Sequence, residues 1–158
     1  MKFSALKGMP VVSMGDSTKV GAVREVLVDT TDLRVVSLLL SGDQGEALLP
    51  FAAIRSIGAD AVTVDSVAVT EGTTGQLASE RVRSIRELSA LQVVNGEGTY
   101  LGDVQDVDFS PQDGRVSELV AHRGGVLGLG GSDLRVPVAA IRAVGPKILT
   151  VDLPTPPA

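Results

Sequence analysis

Apolar residues fall along this chain in short bursts punctuated by Gly, Asp and Pro, a pattern of strands and turns rather than of long helices. In the first half the bursts predict strands near 9–13, 19–28, 34–41, 45–49 and 61–65. In the second half they predict strands near 91–95, 100–109, 115–122, 132–136 and 147–152. The longest run, Val35-Val36-Ser37-Leu38-Leu39-Leu40, is itself strand-sized. Val20, Val23, Val26 and Leu27 have the spacing of a helix face. Their β-branched character, with Gly21 and Gly102 as bulge signals, favours a strand instead. Asp113-Gly114 marks a hairpin turn, and Thr31-Asp32 occupies the equivalent place. Pro50 and Pro137 suit the first position of a short helical turn running through Ile54 and Ile141. The stretch Ala68 to Val82 reads as a polar connection with Gly72 and Gly75, with room for a short helix at Leu77–Val82.

The two series of bursts are copies of one another. Phe3-x-x-Leu6 matches Ile85-x-x-Leu88, and Val11-Val12 matches Val93-Val94, at an offset of 82. The offset is 81 for Val20-Gly21 with Leu101-Gly102, Val26-x-Val28 with Val107-x-Phe109, and Asp32-x-Arg34-Val35 with Asp113-x-Arg115-Val116. It rises to 87 for Pro50 with Pro137, Ala53-Ile54-Arg55 with Ala140-Ile141-Arg142, Gly58 with Gly145, and Val62-Thr63-Val64 with Leu149-Thr150-Val151. So many residue types in one order, with two length changes, mark an internal duplication. The second copy carries six extra residues in or near Arg123–Gly131, the difference between offsets 87 and 81. The expected organisation is a first module at 1–67, a linker at 68–82, a second module at 83–153 and a disordered tail at 154–158. A barrel of about 60 residues buries only about 60% of its unfolded surface, so the copies are expected to dock on each other.

Composition narrows the chemistry. Aromatics make up 3% of the chain, so an aliphatic core is expected. The absence of cysteine removes disulfides, thiolate zinc sites and cysteine nucleophiles together, and suits a reducing cytoplasm. Met1 to Lys7 holds no apolar run of signal-peptide length, and no stretch approaches the roughly 20 apolar residues of a membrane span. The net charge is −5. The densest basic cluster, Arg81, Arg83 and Arg86, is diluted by Glu80 and Glu87. That charge and the scarcity of rings argue against nucleic-acid binding.

With the copies aligned, the residues resemble the PRC-barrel, the β-barrel module named after the photosynthetic reaction centre H subunit. The resemblance lies in Leu6-x-Gly8-x-Pro10-Val11 and Val20-Gly21-x-Val23-x-x-Val26-x-Val28-Asp29. It continues through Arg34-Val35-Val36, Leu49-Pro50 and Ile54-Arg55-x-Ile57-Gly58-x-Asp60-x-Val62-Thr63-Val64. Gly125-Val126-Leu127-Gly128-Leu129-Gly130-Gly131 running into Val136-Pro137 is also similar to the family. The resemblance implies an all-β fold of two tandem small PRC-type barrels, each with a short helical turn, and a binding module rather than an enzyme. In that subunit the barrel caps a membrane complex on its cytoplasmic side; in a ribosome-maturation factor it contacts a ribosomal protein. The expected function is therefore a cytoplasmic, non-enzymatic protein-binding adaptor or assembly module, attending a membrane-associated complex. The alternative is an accessory factor of ribosome or RNA maturation acting through protein contacts. Its partner would be a protein, with homodimerisation and peripheral membrane association compatible and membrane insertion not expected.

Candidate chemistry is thin beside this. The glycine-rich run Arg123–Gly131 leads into a strand and a proline, whereas a dinucleotide site needs a following helix. An EF-hand loop starting at Asp106 would need Gly and Glu where Pro111 and Ser117 stand. Asp103, Asp106, Asp108 and Asp113 thus read as acids on a strand and its turn. The pairs Glu25/Asp29 and Asp106/Asp108 have no evident pocket to tune them as acid and base. His122, the only histidine, makes no convincing triad with Ser117 or Ser132. No catalytic residue, metal or cofactor is expected. The candidate protein-interaction residues are Val126, Leu127 and Leu129, three aliphatic side chains set among glycines in the extra segment.

Overall fold

The computed structural model describes residues 1–42, 45–67, 70, 81–124 and 131–156. The first copy runs α1 (Phe3–Leu6), β1 (Pro10–Ser13), β2 (Thr18–Asp29), β3 (Arg34–Gly42), β4 (Gly45–Pro50), a 3-10 turn at Phe51–Ala53, β5 (Ile54–Ile57) and β6 (Val62–Val64). The second runs β7 (Val82–Ser84), α2 (Ile85–Leu88), β8 (Gln92–Asn95), β9 (Tyr100–Phe109), β10 (Val116–Arg123), β11 (Ser132–Pro137), a 3-10 turn at Val138–Ala140, β12 (Ile141–Val144) and β13 (Ile148–Val151).

The sheet orders are β4-β3-β2-β1-β6-β5 and β11-β10-β9-β8-β13-β12, the same path taken twice. In each, one pair is parallel, β1 with β6 and β8 with β13. The fold is all-β and tandem, as the repeat implies. The six extra residues are located by pairing: Gly42 faces Gly45 across the first hairpin, while Arg123 faces Ser132 across the second. They belong to the connection between β10 and β11.

Two glycines do the work assigned to them. Pairing slips by one residue beside Gly21 and beside Gly102, leaving Val20 and Leu101 as the extra residues. A Cβ on Gly21 would lie 2.7 Å from the Ser41 carbonyl oxygen, and one on Gly102 2.8 Å from that of His122. Only a residue without a side chain lets the bulged strand approach its neighbour so closely.

Several expectations need correction. The helical turns end at Ala53 and Ala140, and Ile54 and Ile141 begin strands β5 and β12. Pro50 and Pro137 occupy the N-cap rather than the first position. A cap residue keeps extended backbone, which suits a proline that also ends a strand. Val82 belongs to a strand and not to a helix; the rest of the proposed 77–82 helix, apart from Arg81, lies outside the described residues. The tail is tied down as far as Thr155, whose hydroxyl meets Asn95 at 3.0 Å and Glu97 at 2.8 Å. Buried Asn95 also accepts from the Glu97 and Thr99 amides, so Thr155 completes its hydrogen bonding.

The copies interlock rather than sit side by side. β7 and α2 precede the second sheet in sequence, yet β7 pairs antiparallel with the end of β2, Leu27 facing Ser84. Reciprocally, Lys2 bridges to Asp108 and the Phe109 amide donates to the Met1 carbonyl at 2.8 Å. Ser84 caps α2 with a reciprocal Glu87 capping box. Each copy thus lends its leading segment to the other's long strand. One hydrophobic cluster runs through both, from Leu6, Val11, Val26 and Leu49 to their equivalents Leu88, Val93, Val107 and Val136. Docking gives these small modules the shared interior that neither could bury alone.

Candidate interaction surface

Where the copies meet, the chain makes a two-fold relationship with itself. Arg34 and Arg115, equivalent residues, face each other in an antiparallel bridge. The Val35 amide donates to the Gly114 carbonyl at 2.8 Å, and the equivalent Val116 amide donates to the Leu33 carbonyl at 3.0 Å. Such a seam is self-complementary, as isologous interfaces between identical subunits are. Glu25 and Asp106, again equivalent, stitch it further: each accepts from the amide after it and from the other copy's leading segment. Glu25 takes the Ile85 amide at 3.0 Å, and Asp106 the Ser4 amide at 3.3 Å.

Of the acids considered as chemistry, Glu25, Asp29, Asp106 and Asp113 hold backbone amides, and Asp108 holds the Met1 ammonium at 2.9 Å. Asp29 accepts from the Thr31 and Asp32 amides at 2.8 and 3.0 Å and from Arg81 at 2.7 Å. Burial pushes its carboxyl pKa up, but those two amides and the Arg81 guanidinium outweigh burial and hold it below the ordinary value. The Asp113 carboxyl is also held low, chiefly by the Arg115 amide. His122 meets Asp133 at 2.7 Å across β10 and β11. Of the basic cluster, Arg81 also reaches Asp32 at 3.0 Å, and Arg83 donates to the Gly145 carbonyl. Among the described residues, no three His, Cys, Asp or Glu side chains gather as a metal set. Val126, Leu127 and Leu129 lie outside the described residues.

What the seam does create is a groove of about 630 Å³. Its walls are Arg34, Val35 and Val36 of β3, Phe51 and Ala52, all of β5, and Pro111-Gln112-Asp113 from the other copy's turn. Gly114, at φ +78°, shapes it, because a Cβ there would lie 3.2 Å from the Phe51 ring and 2.9 Å from the Val35 carbonyl. The related position in the first copy is Leu33, which accepts φ +52° and lines the second cleft. That cleft, about 460 Å³, is lined by Asp32, Leu33, Arg34, Arg115, Val116 and Val138. Sequence reasoning passed over Arg34 and Phe51; the one signal was the repeated Asp-x-Arg-Val at 32–35 and 113–116.

No helix among the described residues is long and apolar enough to cross a membrane. The family model described as PRC-barrel domain matches the chain twice, over residues 1–70 and 80–155. No curated protein matches it.

Proposed function

The chain belongs to the PRC-barrel domain family, and on that premise we propose that it is a non-enzymatic adaptor or assembly module that holds a protein partner in the cytoplasm. The observation that carries this reading is the groove along the seam between the copies, open to solvent and walled by apolar side chains with Arg34, Arg55 and Asp113 among them. The engagement of His122 and the acids in strand, turn and seam contacts supports a holding role over catalysis. A membrane-associated complex is the assembly we favour, approached from its cytoplasmic side by peripheral contact. Capture with the tagged full chain from its native cells tests this. Stoichiometric recovery of membrane-complex subunits supports the proposal. Ribosomal proteins would favour the maturation role instead, and turnover of a substrate without any captured partner would overturn the adaptor reading.

A further inference from the structure

We propose that the seam groove receives an extended, acidic segment of the partner, laid against β5 with a carboxylate at Arg34, the residue that Arg115 faces across the seam. This deepens the adaptor reading and rests on it. Like charges directly opposite on paired strands repel, and here the pairing sets Arg34 against Arg115. Arg115 reaches Asp113 at 3.8 Å, and the charge of Arg34 also acts on that carboxylate, so the two guanidiniums lean on the same acid. Both arginines are exposed, so the seam presents two guanidiniums against the single Asp113 carboxylate on a chain whose net charge is −5. A partner carboxylate would relieve that repulsion and gain a bidentate geometry that guanidinium favours.

The rest of the groove specifies the shape of the occupant. β5 ends the path of the first sheet, and among the described residues its only strand partner is β6. All of β5 lines the groove, and its second edge can accept an added strand. Val36, Phe51, Ile57 and Pro111 offer apolar walls to alternate side chains of such a strand, while Arg34 meets the others. A lipid headgroup or a nucleic-acid phosphate would satisfy the charge but would leave the apolar walls and the strand edge without a use.

The test is a fluorescence-polarisation titration of the full chain with a labelled peptide of four Val–Glu repeats. We expect saturable binding in the micromolar range, on the order of 7–8 kcal/mol, and none by the peptide with Lys in place of Glu. Arg34→Glu should weaken binding at least about tenfold, and Phe51→Ala should weaken it without changing charge. Thermal melts confirm that each variant is folded. Equal binding of the Lys peptide, an undiminished Arg34→Glu variant, or binding of phosphatidylglycerol vesicles or poly(U) in place of the Glu peptide would overturn the proposal. Repeating the capture with Arg34→Glu separates the two readings. Retention of the same partner sinks the groove assignment and leaves the adaptor, whereas failure of the unaltered chain to capture any protein counts against the adaptor itself.

Discussion

The outer faces of the two sheets began as the same surface and have taken opposite characters. In the first copy Leu27, Leu39 and Leu48, with Val36 and Val82 packed on them, form a second apolar cluster apart from the main core. Their neighbours Val26, Val28, Leu38, Leu40 and Leu49 belong to the main core, so these strands are apolar on both faces. At the equivalent places the second copy has Asp108, Val120, Arg135 and Ser117, of which only Val120 remains apolar. The inner faces, by contrast, keep their apolar character position by position. Duplication preserved what the shared interior needs and released the outer face to diverge. β7 bears on the difference, since it runs beside Leu27 and brings Val82 onto the first cluster.

The sharpest break of this comparison comes from substituting equivalent residues. Leu48, 3% exposed, should cost about 2–5 kcal/mol when changed to Ala, because a buried leucine leaves both lost transfer energy and a cavity. Its counterpart Arg135 pairs at the surface with Glu118 at 2.8 Å, and Arg135→Ala should cost under about 1 kcal/mol. Urea denaturation of the two variants measures both; equal costs would mean that the outer faces are not energetically distinct.

The bulge glycines test what the copies still share. Gly21→Ala and Gly102→Ala should each cost about 1–3 kcal/mol, since the added methyl meets a neighbouring carbonyl. Gly102→Ala should be the worse, because its φ of +140° adds backbone strain. Thermal melts that rank Gly21→Ala as the costlier change would show that the strand contact, not the backbone angle, dominates.

A smaller divergence lies in the turns after the long strands, where Asp29 corresponds to Ser110. Asp29→Ala removes an acceptor of two amides and an arginine and should cost about 1–3 kcal/mol near neutral pH. Ser110→Ala, which takes one amide from Gln112 at 3.3 Å, should cost under about 1 kcal/mol. The Asp29 carboxyl is held below its ordinary value, so its contribution is present above the unfolded pKa of about 4 and lost as pH falls through the folded one. The penalty of Asp29→Ala should therefore shrink in acid, and a penalty constant down to strongly acidic pH would assign it to packing. The smallest effect is expected at Arg55–Asp65 and its equivalent Arg142–Asp152, both 3.1 Å apart and exposed. Breaking either should change stability by less than about 0.5 kcal/mol and alike in both copies.

How much could be read beforehand follows from the length of each signal. The long strands and bulge glycines showed in apolar bursts and repeated glycines, because a strand with a buried face must carry its pattern in sequence. The four-residue strands β5 and β12 did not, since Ile54-Arg55-Ser56-Ile57 lacks alternation and follows a helical turn. α1 and α2 span one turn each, too short for a period, although Ser84 and Glu87 at capping-box spacing were a readable sign of α2. The seam was the least legible. It joins Arg34 to Arg115 and Leu27 to Ser84, contacts that local propensity does not encode. Only the repetition of a whole motif, and the small size of each module, pointed toward it.

The central claim is that the two copies form one cooperative body around an exchanged seam. Leu6, fully buried in the shared cluster, belongs to the first copy's sequence, while Tyr100, the only tyrosine, reports on the second. Urea unfolding of Leu6→Ala, followed by Tyr100 fluorescence and by NMR signals of first-copy amides such as Val35, tests the claim most directly. One transition in both probes, shifted together by about 2–5 kcal/mol, is the predicted result. A shift confined to the first-copy amides, with the Tyr100 transition unmoved, would contradict it.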